Sequence, residues 1–148
     1  MNGGLTMTTL DDQLCFLLYV SSKEVIKEYT SRLKAYDLTY TGYITLLAIP
    51  LDESISIKDL GKKLFLDSGT LTPLTKKLET QGYVNRERSQ EDERVLCVTL
   101  TAAGLQLREQ LQCVSEDVFA ASGMDVTQAQ SLHTILQQFV NALEQRPK

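Results

Sequence analysis

The chain of 148 residues has 43% apolar and 23% charged side chains, which excludes wholesale disorder and predicts a single domain. No apolar run approaches the ~20 residues that span a bilayer, and the first residues lack a signal peptide's charged and apolar regions, so we expect a cytoplasmic protein without a membrane partner. The net charge of −4 argues against a nucleic-acid partner, but residues 55–94 carry eight Lys/Arg against seven Asp/Glu and are not acidic.

The first predicted element is one long helix over residues 8–36, which contain neither proline nor glycine. Cap-type and first-turn acidic residues are supplied by Thr8, Thr9, Asp11 and Asp12. Seven residues of this helix are spaced alternately four and three positions apart, which puts them on one face, as in the heptad seam by which a helix contacts a partner helix. The seam consists of Cys15, Tyr19, Ser22, Ile26, Tyr29, Leu33 and Tyr36. Met7 offers an alternative start for the chain, which would make residues 1–6 a leader or a cloning remnant.

Three shorter helices are predicted next. Residues 41–49 form the second, which stops at Pro50. Ser56 begins the third, and the fourth covers residues 67–81 and ends at Gly82.

The fourth helix has a buried stripe of Leu71, Leu74 and Leu78 and an outward polar face. Pro73 leaves two helix starts open. A cap at Asp67 would place Pro73 in the interior and delete the hydrogen bond to Gly69, whereas a start at Thr70 would place it in the first turn.

The spacing of apolar residues then changes from that of a helix to that of a strand. Residues 83–88 and 94–100 predict two strands joined by a polar turn, with Leu96, Val98 and Leu100 on one face. A fifth helix follows the capping residue Thr101, carrying Leu107, Leu111, Val114 and Val118, and a sixth runs from Asp125 to about Leu143. This order predicts a mainly α fold with a small β wing, a winged helix-turn-helix that places its second helix in the DNA major groove.

The sequence lacks the side-chain motifs that most catalytic sites require. Cys15, Cys97 and Cys113 form no CxxC pair, and His133 is the only histidine, so we expect no metal site. The glycine-rich phosphate motifs and the GxSxG nucleophile motif do not occur. We therefore expect neither an enzyme nor a cofactor.

Two separated motifs resemble one family. Residues 64–79, LFLDSGTLTPLTKKLE, followed by Gly82-Tyr83-Val84 and Asp92-Glu93-Arg94, resemble the MarR family of winged-helix repressors. Residues 14–44, LCFLLYVSSKEVIKEYTSRLKAYDLTYTGYI, are similar to its organic-hydroperoxide-sensing branch, the OhrR- and SarZ-type regulators. The resemblance covers nearly all of residues 10–145. It implies one MarR-type domain over 1–148, with dimerisation helices at 8–36 and 101–146 and the winged helix-turn-helix at 37–100.

The resemblance also implies a homodimer that binds double-stranded DNA at a pseudo-palindromic operator. Lys76 and Lys77 would reach phosphates, and Asp92 would orient Arg94 by a salt bridge into the adjacent minor groove. The expected DNA-binding residues are Ser68, Gly69, Thr70, Thr72, Pro73, Lys76, Lys77, Arg86, Arg88, Asp92 and Arg94.

In the hydroperoxide-sensing branch, an N-terminal cysteine is hydrogen-bonded by two tyrosines of the other subunit. The matching positions are Cys15, Tyr29 and Tyr40, with Tyr19 as a further tyrosine of the seam. Cys15 and Tyr29 are ~21 Å apart in one straight helix, so they can meet only across a dimer. Phenol donors stabilise a thiolate and favour its attack on peroxide, whereas Asp11 and Asp12, at i−4 and i−3, oppose it. The resemblance implies that oxidation of Cys15 releases the operator.

Several alternatives stay open. Cys113 could resolve oxidised Cys15, or a low-molecular-weight thiol could complete its disulfide, while Cys97 is interpreted as structural. A same-fold alternative is a repressor gated by a small phenolic ligand, with Cys15 incidental. Alternatives of other classes are a thiol peroxidase that uses Cys15 and a helical protein-interaction module without a DNA target.

Overall fold

The structure, a computed structural model, describes residues 9–145 of the chain, so the predictions for Met7 and Thr8 lie outside the described residues. Two compact units divide the chain, Met1–Ser115 and Glu116–Lys148. The helices and strands of the described residues are α1 (Leu14–Leu33), α2 (Tyr40–Ala48), β1 (Ile55–Ser56), α3 (Ile57–Leu64), α4 (Ser68–Thr80), β2 (Val84–Arg88), β3 (Leu96–Leu100), α5 (Ala102–Gln110), α6 (Gln112–Ala121) and α7 (Val126–Glu144). The prediction of a mainly α fold with a small β wing is confirmed.

The first helix is shorter than predicted. The hydroxyl of Thr9 donates to the carboxylate of Asp12 at 2.7 Å, so these residues close a turn of their own instead of capping a helix. Gln13 occupies the N-cap position, and α1 begins at Leu14. At the other end, α1 gives way after Leu33 to a single 3₁₀ turn, Lys34–Tyr36. Cys15 is therefore the second residue of α1, in its first turn.

The helix-turn-helix and the wing share one core in the first unit. Strand β3 lies between β1 and β2, antiparallel to both, with Ile55 opposite Val98 and Val84 opposite Leu100. Strand β1 was not predicted, because two residues are too few to show an alternating pattern. The fully buried side chains at the centre include Leu33, Leu46, Leu60, Leu71, Leu78, Val84 and Val98.

Helix α4 resolves the alternatives that Pro73 left open. Asp67 is its N-cap, and the carboxylate accepts the backbone N–H of Thr70 at 2.7 Å. Pro73 is consequently interior, and the carbonyl of exposed Gly69 lacks the N–H donor that an ordinary residue would supply four positions later. The predicted buried stripe omitted Thr75, which is fully buried because its hydroxyl donates to the carbonyl of Leu71 at 2.8 Å.

The predicted fifth helix is divided into two. Helix α5 starts after the cap of Thr101 and ends at Gln110, and α6 starts at Gln112 after a turn residue, Leu111. Close packing holds the start of α5, since a Cβ on Gly104 would lie 2.0 Å from the carbonyl oxygen of Tyr83.

In the second unit, α7 follows Asp125 as predicted, and Asp125 is its N-cap, completed by the side chain of Gln128 in a capping box. Among residues 9–145, no helix is long and apolar enough to cross a membrane.

Candidate DNA interface and cysteine site

Helix α4 presents one exposed polar face. Leu71, Thr75 and Leu78 anchor the opposite face in the core. The predicted contact residues on the exposed face are Ser68, Gly69, Thr70, Thr72, Pro73, Lys76 and Lys77. Short side chains at the N-terminal end let the backbone approach a ligand closely, and the first-turn N–H groups make that end electropositive. The helix thus offers a surface suited to polyanion binding.

The two predicted phosphate-binding lysines differ in their surroundings. The ammonium of Lys77 lies 3.4 Å from the carboxylate of Asp37, and the side-chain amide of Gln81 donates to the carbonyl of Asp37 at 3.0 Å. Asp37 adopts the left-handed conformation, φ 51°, directly after the 3₁₀ turn. Lys77 therefore links α4 to the connection before α2, whereas Lys76 forms no ion pair with any residue of 9–145.

The wing tip has the predicted arginine geometry. The Asp92 carboxylate accepts the backbone N–H of Arg94 at 3.0 Å and its Nε–H at 3.2 Å. The Arg94 side chain is 92% exposed, so the carboxylate fixes its base while the guanidinium projects into solvent. Arg88 donates to the carbonyl of Arg94 at 3.3 Å and supports the same loop.

Arg86 has a different environment from the other two arginines. Its side chain is only 14% exposed and lies 3.5 Å from the carboxylate of Glu79, in the last turn of α4. Contact of Arg86 with DNA stays a prediction. In the free chain, Arg86 joins the wing to α4, the helix predicted to enter the major groove and called the recognition helix below.

Three tyrosines form a cluster in the first unit. The ring centroids of Tyr29 and Tyr40 lie 5.0 Å apart, and Tyr43 packs against them at 5.3 and 6.3 Å. The two tyrosines that the resemblance pairs with a cysteine therefore share one patch. Sequence reasoning missed Tyr43, although its place three residues after Tyr40 puts both on one face of α2. Tyr19, 63% exposed, lies outside the cluster.

The environment of the cluster raises the pKa of two of its phenols. Burial, followed by the neighbouring phenols of Tyr43 and Tyr40 and a hydrogen bond with Tyr43, raises the pKa of Tyr29 to about 12. Burial and Tyr43 also raise the pKa of Tyr40. At neutral pH both side chains are thus O–H donors, the state that a thiolate partner requires.

The raised pKa of Tyr29 predicts a loss of stability in alkali. The folded chain holds this proton more tightly than the unfolded chain, so the contribution is fully present below about pH 10 and falls as the pH rises through about 12. Tyr29→Phe has no proton to lose, so its urea midpoint should fall less than that of the wild type between pH 10 and 12. Tyr19→Phe, on the same helix, is the matched control. Parallel decline of Tyr29→Phe and wild type would contradict the assignment.

The three cysteines occupy different settings. Cys15 is exposed in the first turn of α1, whose unpaired N–H groups favour a negative charge. Asp11 and Asp12 precede this helix, and their opposition to a charge on Cys15 stays a prediction. Cys97 is half-buried in β3 opposite Glu87, and exposed Cys113 donates to the carbonyl of Gln110 at 3.1 Å. No group of side chains within residues 9–145 could hold a metal ion.

Exposed apolar side chains mark two helices. On α1 they comprise Leu14, Leu17, Tyr19, Val25 and Ile26. On α7, in the second unit, they comprise Val126, Leu132, Ile135, Phe139, Val140 and Leu143. Contiguous apolar faces of this kind are typical of protein–protein contacts.

A cavity of about 390 Å³ lies between α2 and the α5–α6 segment of the first unit. Its apolar lining includes Leu47, Leu51 and Leu105, and Arg108 is the cation that lines it. That guanidinium donates to the carbonyl of Ile49 at 2.9 Å and of Leu46 at 3.4 Å, so it is engaged at the C-terminal end of α2.

The helix-turn-helix with an exposed polar second helix and an arginine-tipped wing defines a winged-helix transcriptional regulator of the MarR type. The SarA/Rot family of transcriptional regulators matches residues 27–111. SarZ of Staphylococcus saprophyticus is 58% identical over 133 residues, which cover 90% of this chain and 91% of that protein. The chain therefore belongs to the SarA/Rot family as a transcriptional regulator of the SarZ type, which is not an enzyme family.

Solved structures agree with this assignment. AbfR in its reduced form bound to DNA is 34% identical, with a TM-score of 0.70 and coverage of 92% of this chain and 95% of that one. Overoxidised AbfR bound to DNA matches at 34% identity and a TM-score of 0.69, covering 90% and 94%. A mutant of Escherichia coli MarR in complex with operator DNA is 25% identical, with a TM-score of 0.76 and coverage of 85% and 92%.

Proposed function

We propose that the chain acts in the cytoplasm as a homodimeric repressor whose reduced form binds a pseudo-palindromic operator in double-stranded DNA. Oxidation of Cys15 by an organic hydroperoxide releases the operator. The observation that carries this proposal is that Cys15 and the tyrosine cluster, which contains Tyr29 of α1 and two tyrosines of α2, lie at opposite ends of α1. The cluster holds neutral phenol donors near one end of the helix, while Cys15 is exposed at the other.

The geometry of α1 requires a second chain for these groups to meet. Cys15 and Tyr29 lie within one uninterrupted helix, Leu14–Leu33, and 14 residues correspond to ~21 Å of helix. The exposed apolar side chains around Cys15, Leu14 and Leu17 among them, are a surface that a partner helix would cover. An antiparallel pairing of two α1 helices would bring each cysteine toward the other chain's tyrosines.

The chemistry follows the ordinary course of thiol oxidation. The Cys15 thiolate attacks one oxygen of the hydroperoxide, the O–O bond breaks, an alcohol leaves after taking up a proton, and a sulfenic acid remains. A second thiol, from Cys113 of the partner or from a small cellular thiol, then displaces water and forms a disulfide. The added group occupies space at the dimer contact and removes the charge that the phenols would bind. Both changes favour a different arrangement of the two DNA-binding parts.

The DNA-binding half of the proposal rests on the exposed face of α4 and on Arg94. Symmetric binding would place the two α4 helices in successive major grooves, about one duplex turn apart. The similar protein AbfR is described in a reduced and in an overoxidised form, both bound to DNA, so changes of redox state and DNA binding occur together in that protein.

The cavity between α2 and α5 favours a second candidate, a repressor gated by a small phenolic ligand. Its volume and its leucines suit an aromatic ring. Arg108 would have to leave the carbonyls of α2 to pair with an anionic ligand, which makes this the weaker candidate.

A binding assay with one oxidant tests the proposal. Operator fragments selected from random duplexes should bind the reduced protein with nanomolar affinity that weakens steeply with salt. One equivalent of cumene hydroperoxide should release the DNA, a reductant should restore binding, and intact mass should show the oxidised thiol. Release without a mass change would favour ligand gating, and no duplex binding at any salt concentration would leave a protein-interaction module.

A further inference from the structure

A carboxylate at the end of the recognition helix joins that helix to the wing. The Oε1 atom of Glu79 accepts the backbone N–H of Arg86 at 3.0 Å, and its Oε2 atom lies 3.5 Å from the Arg86 guanidinium. One side chain of α4 thus contacts both the backbone and the side chain of a β2 residue. The contact spans the turn at Gln81–Tyr83, where Gly82 has a φ of +81°.

The position of Glu79 is unfavourable on electrostatic grounds alone. The C-terminal end of a helix disfavours a negative charge, and a carboxylate on a DNA-binding helix also repels phosphates. Arg86 compensates for this, because its backbone N–H and its guanidinium both face the Glu79 carboxylate. The Arg86 side chain is 14% exposed and that of Glu79 is 41% exposed. The Arg86 side chain is mostly buried and lies beside Glu79, so its guanidinium faces the protein and not the solvent.

The turn between α4 and β2 is where the wing could change its angle. On the helix side, the N–H of Tyr83 donates to the carbonyl of Leu78 at 3.0 Å. On the strand side, the hydroxyl of Thr101 donates to the carbonyl of Gly82 at 2.6 Å. These hydrogen bonds hold the turn itself. The Glu79–Arg86 contact, by comparison, joins α4 to β2 across the turn.

We propose that the Glu79–Arg86 pair is a brace that sets the angle between α4 and the wing, so that α4 and Arg94 engage adjacent grooves together. Both are positioning residues, which act on DNA through the orientation of other side chains. The inference rests on the proposed DNA-binding function and deepens it.

The direction in which Glu79→Gln changes operator affinity distinguishes the brace from simple electrostatics. Glutamine retains an oxygen for the Arg86 N–H but loses the charge that holds the guanidinium. Removal of a negative charge near DNA would by itself strengthen binding, whereas a loosened wing should weaken specific operator binding, roughly three- to thirtyfold. The matched control is Glu87→Gln, since Glu87 is an exposed β2 carboxylate with no ion pair among the described residues. It should bind as well as wild type or slightly more tightly.

A double-mutant cycle with Arg94 identifies what the brace positions. If the brace aims Arg94, Arg94→Ala should cost clearly less affinity in the Glu79→Gln background than in the wild type. Arg86→Lys should retain more operator affinity than Arg86→Met, because lysine keeps a cation beside Glu79. Additive losses, or tighter binding by Glu79→Gln, would overturn the proposal.

Hydrogen exchange of the free protein makes the test independent of DNA. Glu79→Ala removes both contacts, so amides of residues 84–100 should exchange faster than in wild type or Glu87→Ala, while those of α2 and α3 keep their rates. Unchanged exchange in the wing would overturn the brace. If the wild type bound no operator, the DNA-binding proposal would fail. The exchange measurement would still show whether Glu79 and Arg86 hold the wing against α4.

Discussion

Cys15→Ser is expected to bind the operator within about threefold of the wild-type affinity and to keep the DNA after hydroperoxide is added. Serine has nearly the size of cysteine and retains a hydrogen-bonding group, so the contact around position 15 is preserved. Its hydroxyl cannot be oxidised by peroxide, so the step that starts release is lost. Anisotropy of a labelled operator, recorded before and after one equivalent of oxidant, measures both properties on one sample.

The other cysteines provide the controls for this substitution. Cys97→Ser and Cys113→Ser should still release the operator, since neither residue is the proposed nucleophile. If Cys113 resolves oxidised Cys15, its variant should respond more weakly until a small thiol is added. Full release by Cys15→Ser would end the redox proposal and promote the ligand-gated candidate.

Mixed dimers show whether the tyrosine contacts cross between chains. Tyr29→Phe and Tyr40→Phe should each slow oxidation of Cys15 without abolishing it, because each removes one donor and leaves the nucleophile. A Cys15→Ser chain paired with a doubly tyrosine-substituted chain keeps a single Cys15, which faces the intact tyrosines of its partner. This heterodimer should react as fast per thiol as wild type. A rate as slow as that of the tyrosine double variant would place the contacts within one chain.

Local signals gave most of the fold correctly from sequence. Thr101 is the predicted N-cap of α5, and α7 follows Asp125 as predicted, because a capping bond joins residues three apart and depends on little else. Asp67 is the N-cap of α4, one of the two starts that Pro73 left open. The start of α1 was wrong because Thr9 and Asp12 satisfy each other in a turn, an outcome that residue type alone does not distinguish from capping.

The candidate site was predictable where residue type and exposure suffice. The polar face of α4 follows from the helical period, whereas the Asp92–Arg94 pair was implied by the family resemblance. The partners of Lys77 and Arg86 could not be predicted, because Asp37 is 40 residues from Lys77 and Glu79 lies across a turn from Arg86. Those contacts depend on tertiary packing, which engages Lys77 with Asp37 and buries most of Arg86.

Arg94→Ala is expected to weaken operator binding by about 1–3 kcal/mol while the dimer stays intact. The side chain is 92% exposed and its base is fixed by Asp92, so the free chain already holds the guanidinium in a defined direction. An arginine inserted into a narrow minor groove gains from the enhanced negative potential there. Loss of one positive charge from the DNA interface should also reduce the salt dependence of binding.

Lys76→Ala and Asp92→Asn separate groove insertion from general charge. Lys76→Ala, which removes a cation of the helix face, should weaken specific and non-specific duplexes alike. Asp92→Asn removes a negative charge, so electrostatics alone would strengthen binding, whereas loss of the Arg94 contact should weaken operator binding and spare random duplexes. Unchanged operator affinity of Arg94→Ala would remove the minor-groove assignment, and an equal loss on random duplexes would reduce Arg94 to a phosphate contact.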